Sequence, residues 1–558
     1  MRRFLLAAAA PLVLLSACAS DPAGRRAPET YSLSPYGMFL AGQAALNDGR
    51  SDDAARFFAQ ANAHADTDVV VGERAFTAAV LAGDIEKAVQ IAPTGPQVSE
   101  ATNRLARLTE AVEHLADGKG KPARELLTGD DISFPHRGVA ALLAPWAAAM
   151  AGDTEGSLVR PQVRGDRIVD YFGQLGRASL FERARRYDEA ETDFKAAAST
   201  ASSEMAILAY GGFLERRNRR PDAIVLYDTL LAQEPMSLPV AAARARAAAG
   251  KAAPPALTLR QGAAQAMLAP AATMLQAKQT QLSLVYLRLA LRLDPDRDQA
   301  WVMVGDIMQT TGDSVAARAA YAKPKPGSPE YAGAQAKLAW TYQSDKDPES
   351  ALRLARAAAA SGDVDARMTL ADLLRANEHY GEAVEVLGGL IQGSKTPDWR
   401  LYYSRGVAFE RLGRWPEAET DLQAALKLRP DEPELLNYLG YTWIDRGERL
   451  PEAMAMVEKA VAANPRSGAM IDSLGWAHYR MGDFKKAVER LEQAVELEAG
   501  DPEINNHLGD AYWMVGRKDE AVFQWRRVLT LDPDARIKAD VEAKLASGLG
   551  PKRQIAGQ

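Results

Sequence analysis

"MIDSLGWAHYRMGDFKKAVERLEQAVELEA", residues 470–499, returns one unit later as "EINNHLGDAYWMVGRKDEAVFQWRRVLTLDP", residues 503–533. Laid over each other, Gly475 meets Gly509, Gly482 meets Gly516 and Ala487 meets Ala521, each 34 residues on. The same marks come earlier, in "LYYSRGVAFERLGRWPEAETDLQAALKLRP" from Leu401 and "LLNYLGYTWIDRGERLPEAMAMVEKAVAANP" from Leu435. One residue is inserted around Gly447–Leu450, which lengthens that step to 35. A period of this length over four units marks a repeat array, whose units bury their apolar faces only by stacking.

Each mark has a mechanical reading. The first glycine (Gly406, Gly440, Gly475, Gly509) lies where two antiparallel helices cross closely, and Ala418, Ala453, Ala487 or Ala521 on the second helix faces it. Gly413, Gly447, Gly482 and Gly516 end the first helix, where a left-handed residue is needed. Pro430, Pro465 and Pro533 close three of the second helices, and Ala499 stands in the fourth such place. Leu-Gly, Ala and Pro at this period resemble the tetratricopeptide repeat (TPR). The resemblance implies an all-α chain, a TPR superhelical solenoid of stacked antiparallel helix pairs.

The register continues upstream with falling fidelity. Gly305, Ala317 and Tyr321 fit one unit, Gly211, Ala223 and Tyr227 another, and Gly42, Ala54 and Phe58 a third. Ala178, Ala190 and Phe194 fit a further unit, and weaker ones centre on Ala351 and Ala383. About a dozen or more pairs are therefore expected in a right-handed superhelix. Breaks are expected at Gly152–Gly176, at "AAAGKAAPPALT" (247–258) and at "KPKPGSPE" (323–330). The expected organisation is degenerate repeats over 36–250, central repeats over 256–398 and well-formed repeats over 399–547. The last block includes a capping helix near 536–547, and a flexible tail follows at 548–558. The uncharged stretch "GVAALLAPWAAAMAG" (138–152) is too short to span a bilayer and reads as a closely packed helix.

The chain has one cysteine, and its surroundings give that cysteine a role. Arg2 and Arg3 precede an apolar run from Phe4 to Leu15, and Ser16 and Ala17 supply small residues before Cys18. Residues 1–17 read as a secretory signal. Leu15-Ser16-Ala17-Cys18 resembles a bacterial lipobox, which implies lipidation of Cys18, with an ordinary signal peptide as the alternative. Residues 18–35, including "ASDPAGRRAPETYSLSP" (19–35), then read as a flexible tether. The resemblance, with Ala19 rather than Asp after the cysteine, points to the periplasmic face of the outer membrane. No second cysteine exists, so neither an internal disulfide nor a cysteine metal site is available. The formal charge of −6 becomes about −8 when Arg2 and Arg3 leave with the signal, and this acidic balance without basic runs argues against nucleic acid.

Catalytic patterns are not found. The six histidines (His64, His114, His136, His379, His478, His507) are scattered, and neither a Gly-rich phosphate loop nor a G-x-S-x-G turn occurs. His478 stands where sister repeats have Phe409, Trp443 and Tyr512, so it reads as a packed aromatic. His507 reads either as a polar groove contact or as part of a solvated surface. The chain is expected to be no enzyme and to need no cofactor or metal. Its binding surface is expected on the concave face of the first helices: Asn437, Tyr441 and Ile444, then Asp472, Trp476 and Tyr479, then Asn506, Asp510 and Trp513. Short polar groups beside large aromatics suit a bound peptide. Trp525 on the last second helix reads as core between repeats.

A lipobox followed by an array ending in "DSLGWAHYRMGDFKKAV" and "NNHLGDAYWMVGRKDEAVFQWRRVL" is similar to proteobacterial TPR lipoproteins. Among them are outer-membrane adaptors of periplasmic carboxyl-terminal processing proteases. The resemblance implies a membrane-anchored adaptor or scaffold whose partners are other periplasmic proteins, namely such a protease and its peptidoglycan hydrolase substrates. A subunit of an envelope assembly or export complex is the alternative, and an enzyme acting on glycan strands a more distant one.

Overall fold

The computed structural model describes residues 34–63, 69–128, 132–200, 203–234, 237–360, 362–394 and 397–549. The signal, Cys18 and most of the tether lie outside these, as does His64. Among the described residues there are thirty helices and no strand, and the expected TPR solenoid of antiparallel pairs is what they build. The first helix begins at Pro35, so the tether reading is shortened by one residue. The stretch expected to be broken up to Gly176 is helical again from Arg167. The uncharged 138–152 stretch forms the helix Arg137–Met150.

The repeat marks act as their chemistry requires, with one correction. Gly413, Gly447, Gly482 and Gly516 have φ of 73°, 73°, 83° and 86°, the left-handed turn between paired helices. Upstream the same turn is made by Arg185, Asn218, Lys278, Lys346 and Glu378, with φ between 59° and 62°. At these five turns the conformation survives without its glycine, which removes one mark of the period, whereas Gly49, Gly83, Gly118 and Gly312 keep it. The crossing glycine, however, does not chiefly face the repeat alanine. A Cβ on Gly475 would lie 2.6 Å from Leu491 Cγ, and one on Gly509 would lie 2.5 Å from Trp525 Nε1. The contacting side chain sits one helical turn after the alanine. Ala453 presents its carbonyl to Gly440 instead, 3.1 Å from where a Cβ would be.

The N-terminal half departs from a simple stack. The hairpin formed by helices Leu259–Gln276 and Thr280–Leu293 lies across the first helices of four earlier pairs. Leu259–Gln276 packs on Arg137–Met150 and Arg167–Arg183, and Thr280–Leu293 packs on Val69–Ala82 and Glu100–Ala116. Trp146 presses its ring so closely on Gly262 that a Cβ there would lie 2.1 Å from it. Arg288 donates to the Leu81 carbonyl at 3.0 Å, and Arg292 pairs with Glu113 through bonds of 2.6 and 2.7 Å. Buried His136 hydrogen-bonds Tyr286 at 3.1 Å, and burial lowers its pKa to about 4, so it stays neutral. The early groove is thus filled by the chain itself. One core runs from Phe76 to Leu338 across the proline-rich 247–258 stretch, whereas beyond Leu338 the core divides into small clusters between neighbouring pairs.

The last helix among the described residues, Ala535–Ser547, covers the last repeat as expected. Val541 is buried there, against a cluster that includes fully buried Trp525.

Candidate functional site

With the early groove occupied, the open concave surface lies in the C-terminal repeats. There the helices Trp399–Arg411, Pro433–Arg446, Gly468–Arg480 and Pro502–Met514 stand side by side, and Ala535–Ser547 closes the row. Between them lies a cavity of about 670 Å³, open to solvent. Its wall combines Tyr438, Tyr441, Trp476 and Tyr479 with Arg411, Asp445, Arg480, Glu503 and Arg536.

Two buried polar networks hold this wall. In the first, His507 Nδ1 lies 3.0 Å from both Asp472 carboxylate oxygens. The imidazole stacks on Trp476 at 4.1 Å, and Trp476 stacks on Tyr479 at 4.6 Å. Burial pushes the Asp472 carboxyl up, against the pull of His507. Burial also pulls His507 down, but Asp472, Glu503 and Asp510 outweigh it, so His507 is raised overall. Tyr441 donates to Glu503 Oε1 at 2.9 Å, and its hydroxyl is pushed up by burial and then by nearby carboxylates. In the second network, Lys544 of the closing helix, 4% exposed, reaches Asn506 Oδ1 at 2.8 Å, Asp510 at 2.7 Å and Asp540 at 2.7 Å. Trp525 Nε1 also donates to Asp510 at 3.0 Å. A buried ion pair of this kind fixes geometry more surely than it adds stability.

Of the residues singled out in the sequence, Tyr441, Trp476, Tyr479, Asn506 and Asp510 line the cavity. Asp472 lies behind His507 and is buried. Asn437 does not line the cavity, and its Oδ1 is buried without a hydrogen-bond partner. Trp513 turns away from the groove: it packs on Trp525 at 5.2 Å and on Gly548, with Lys518 Nζ 3.4 Å from its ring centre. Ile444 is fully buried. The lining is wider than the expected stripe, and it also takes in Tyr438, Asp445, Arg480 and His507. His507 is therefore a buried groove residue and not a solvated one. His478 is half-buried, 4.0 Å from Asp483, and Trp525 is core. Among the described residues no group of three or more His, Cys, Asp or Glu side chains is placed to hold a metal ion.

Residues 368–433, 403–468 and 473–536 match the family model of the tetratricopeptide repeat. The chain is 30% identical over 216 residues to the TPR repeat-containing protein PA4667 of Pseudomonas aeruginosa. That match covers 38% of this chain and 36% of the relative, so it spans about a third of the relative's length. Among solved structures, the APC/C hetero-tetramer Cut9–Hcn1 is similar at 15% identity, over 93% of this chain and 99% of that one, with a TM-score of 0.39. MamA of Desulfovibrio magneticus RS-1 is similar at 23% identity, over 30% of this chain and 93% of that one, with a TM-score of 0.27.

Proposed function

We propose that this tetratricopeptide-repeat chain, a protein-interaction scaffold, acts as a lipid-anchored adaptor on the periplasmic face of the outer membrane. It brings peptidoglycan hydrolases to a carboxyl-terminal processing protease and does no chemistry itself. The observation that carries the reading is the C-terminal cavity, whose aromatic and charged wall is set rigidly by buried pairs while the early groove is filled from within. Aromatic anchors ringed by charged groups suit a protein segment that brings both apolar area and hydrogen-bonding partners. The lipobox-like stretch before Cys18 supports the anchor, because one modified thiol there disposes of the only reactive cysteine. Several acyl chains, at about 0.8 kcal/mol per buried methylene, would hold the chain to a membrane.

The test reconstitutes the purified chain with the processing protease and a hydrolase from the same organism. The expected result is faster hydrolase cleavage when the chain is present. That gain should be lost when Arg411→Glu and Arg536→Glu are combined, two cavity residues whose side chains are 59% and 78% exposed. Cleavage that is the same with and without the chain would end the adaptor reading. Stoichiometric co-purification with a membrane channel would favour the envelope-assembly alternative.

A further inference from the structure

The two ends of the solenoid are built differently. The closing helix Ala535–Ser547 exposes Arg536, Lys538 and Glu542, the polar outer face that a soluble repeat array needs at its ends. The opening helix Pro35–Asn47 contains no charged residue at all. Its inner face, with Gly42 and Ala45 buried, packs against the helix Ser51–Ala63, where Phe58 meets Gly42. Its outer face carries Tyr36, 71% exposed, and Leu40, 49% exposed, with exposed Ala44 one further turn on. Spacing of four puts these three on one stripe.

We propose that this stripe lies on the lipid surface to which Cys18 tethers the chain. Three observations on the helix favour a bilayer over another occupant. First, Ser34 is only sixteen residues along the chain from Cys18, a reach of at most about 58 Å, so the helix cannot leave the neighbourhood of its anchor. Second, an uncharged helix enters the headgroup boundary without desolvating an ion, and a tyrosine suits that boundary with its apolar ring and polar hydroxyl. Third, two large apolar side chains fall well short of the roughly 800 Å² per partner that a stable protein interface buries. With the stripe against lipid, the first repeat is fixed in orientation and not merely tethered, and the C-terminal cavity is carried away from the membrane surface.

The proposal rests on Cys18 being the tether, but its test does not require a cell to lipidate it. The mature chain from Cys18 has one thiol, so it can be coupled to a maleimide lipid in phosphatidylethanolamine/phosphatidylglycerol vesicles, or capped with a soluble maleimide as control. Hydroxyl-radical footprinting then reads side-chain exposure. The expected result is severalfold slower oxidation of Tyr36 on vesicles than in the capped chain, with Phe523, 62% exposed on the helix Lys518–Val528, unchanged. Leu40→Asp should abolish that protection. Equal Tyr36 oxidation in both states overturns the proposal. Protection in the capped chain that disappears on dilution also overturns it, because a second copy is then the occupant. Separately, the absence of radiolabelled palmitate on Cys18 in cells would sink the anchor reading while leaving the vesicle result to stand or fall by itself.

Discussion

Alanine at Gly509 and alanine at Gly389 should shift stability in opposite directions, although both replace a helical glycine. Within a helix the exchange gains up to about 1 kcal/mol from backbone propensity alone. At Gly389 nothing lies within 4 Å of the added Cβ, so a gain of about 0.4–1 kcal/mol should be realised in full. At Gly509 the Cβ would sit 2.5 Å from Trp525 Nε1 and 2.6 Å from Cδ1, against an ordinary contact of 3.4–4 Å. The indole would have to retreat by about 1 Å, yet it is fully buried and donates to Asp510 at 3.0 Å. Overpacking costs about 1–3 kcal/mol, and a stretched buried hydrogen bond costs about 1 kcal/mol more. After the helix gain is subtracted, Gly509→Ala should lose about 1–3 kcal/mol. Gly475→Ala, facing Leu491 at 2.6 Å, should fall between the two, and Gly406→Ala, facing Leu422 at 3.0 Å, should be near neutral. Repeat arrays open segment by segment, so the measurement is residue-resolved hydrogen exchange over the helices Pro502–Met514 and Tyr380–Gly393, not one melting midpoint. Unchanged or slower exchange around Gly509→Ala, or faster exchange around Gly389→Ala, would refute the packing argument.

Lys544→Met should destabilise the last repeat by about 3–5 kcal/mol, because it leaves Asp510 buried without its cation. Adding Asp510→Asn should restore much of the loss, and a urea titration followed by tryptophan fluorescence would show either recovery or none. Folding raises His507 above its ordinary 6.5, so the protonated ring's stabilisation is complete below about pH 6.5 and fades as pH rises through the raised value. Asp472, Glu503, Asp510 and Tyr441 all face that ring, and burial raises the Asp472 carboxyl, so an unpaired Asp472 carboxylate makes the loss steeper. Denaturation midpoints of the C-terminal repeats should fall as pH rises above about 6.5 in the native chain and flatten in His507→Gln; a rise would contradict the assignment. Trp146→Ala should cost about 3–5 kcal/mol and loosen the hairpin 259–293, a change that limited proteolysis at 247–258 would report. Proteolysis as slow as in the native chain would show that Trp146 does not hold the hairpin.

The repeat architecture was legible because its marks are steric, and steric marks survive in one sequence. Gly475 and Gly509 stand where backbones nearly touch, and Gly482 and Gly516 stand where φ is positive. The upstream turns at Arg185 or Glu378 reach the same φ without glycine, which blurred the period without changing the fold. The insertion of the hairpin 259–293 was not legible. Its hydrogen bonds to the earlier pairs join residues 144 to 207 positions apart, and no local pattern announces them. Two glycine-to-tryptophan clues existed, Gly262 against Trp146 and Gly176 beside the same ring, but a single sequence does not pair them. In the cavity, Tyr441, Trp476 and Asp510 were found because each holds the ninth place of its first helix, counted from Pro433, Gly468 and Pro502. Trp513, in the twelfth place of its helix, was misplaced because its partners, Trp525 and Gly548, lie on segments that follow it, and His507 was left undecided because its partner, Asp472, lies 35 residues away on the preceding first helix.

The self-filled early groove also sets a timetable. While the chain is being made, the carbonyl of Leu81 waits for Arg288, 207 residues later. At about 5–20 residues per second that interval is roughly 10–40 s. Until the hairpin 259–293 follows, the inner faces of the pairs it covers stay open, and the proline-rich 247–258 stretch is the last segment to precede it. The C-terminal repeats face no such delay, since each closes on the one just before it. The first half of this protein therefore closes only once residue 293 is present, whereas each C-terminal repeat can pack on the one just before it.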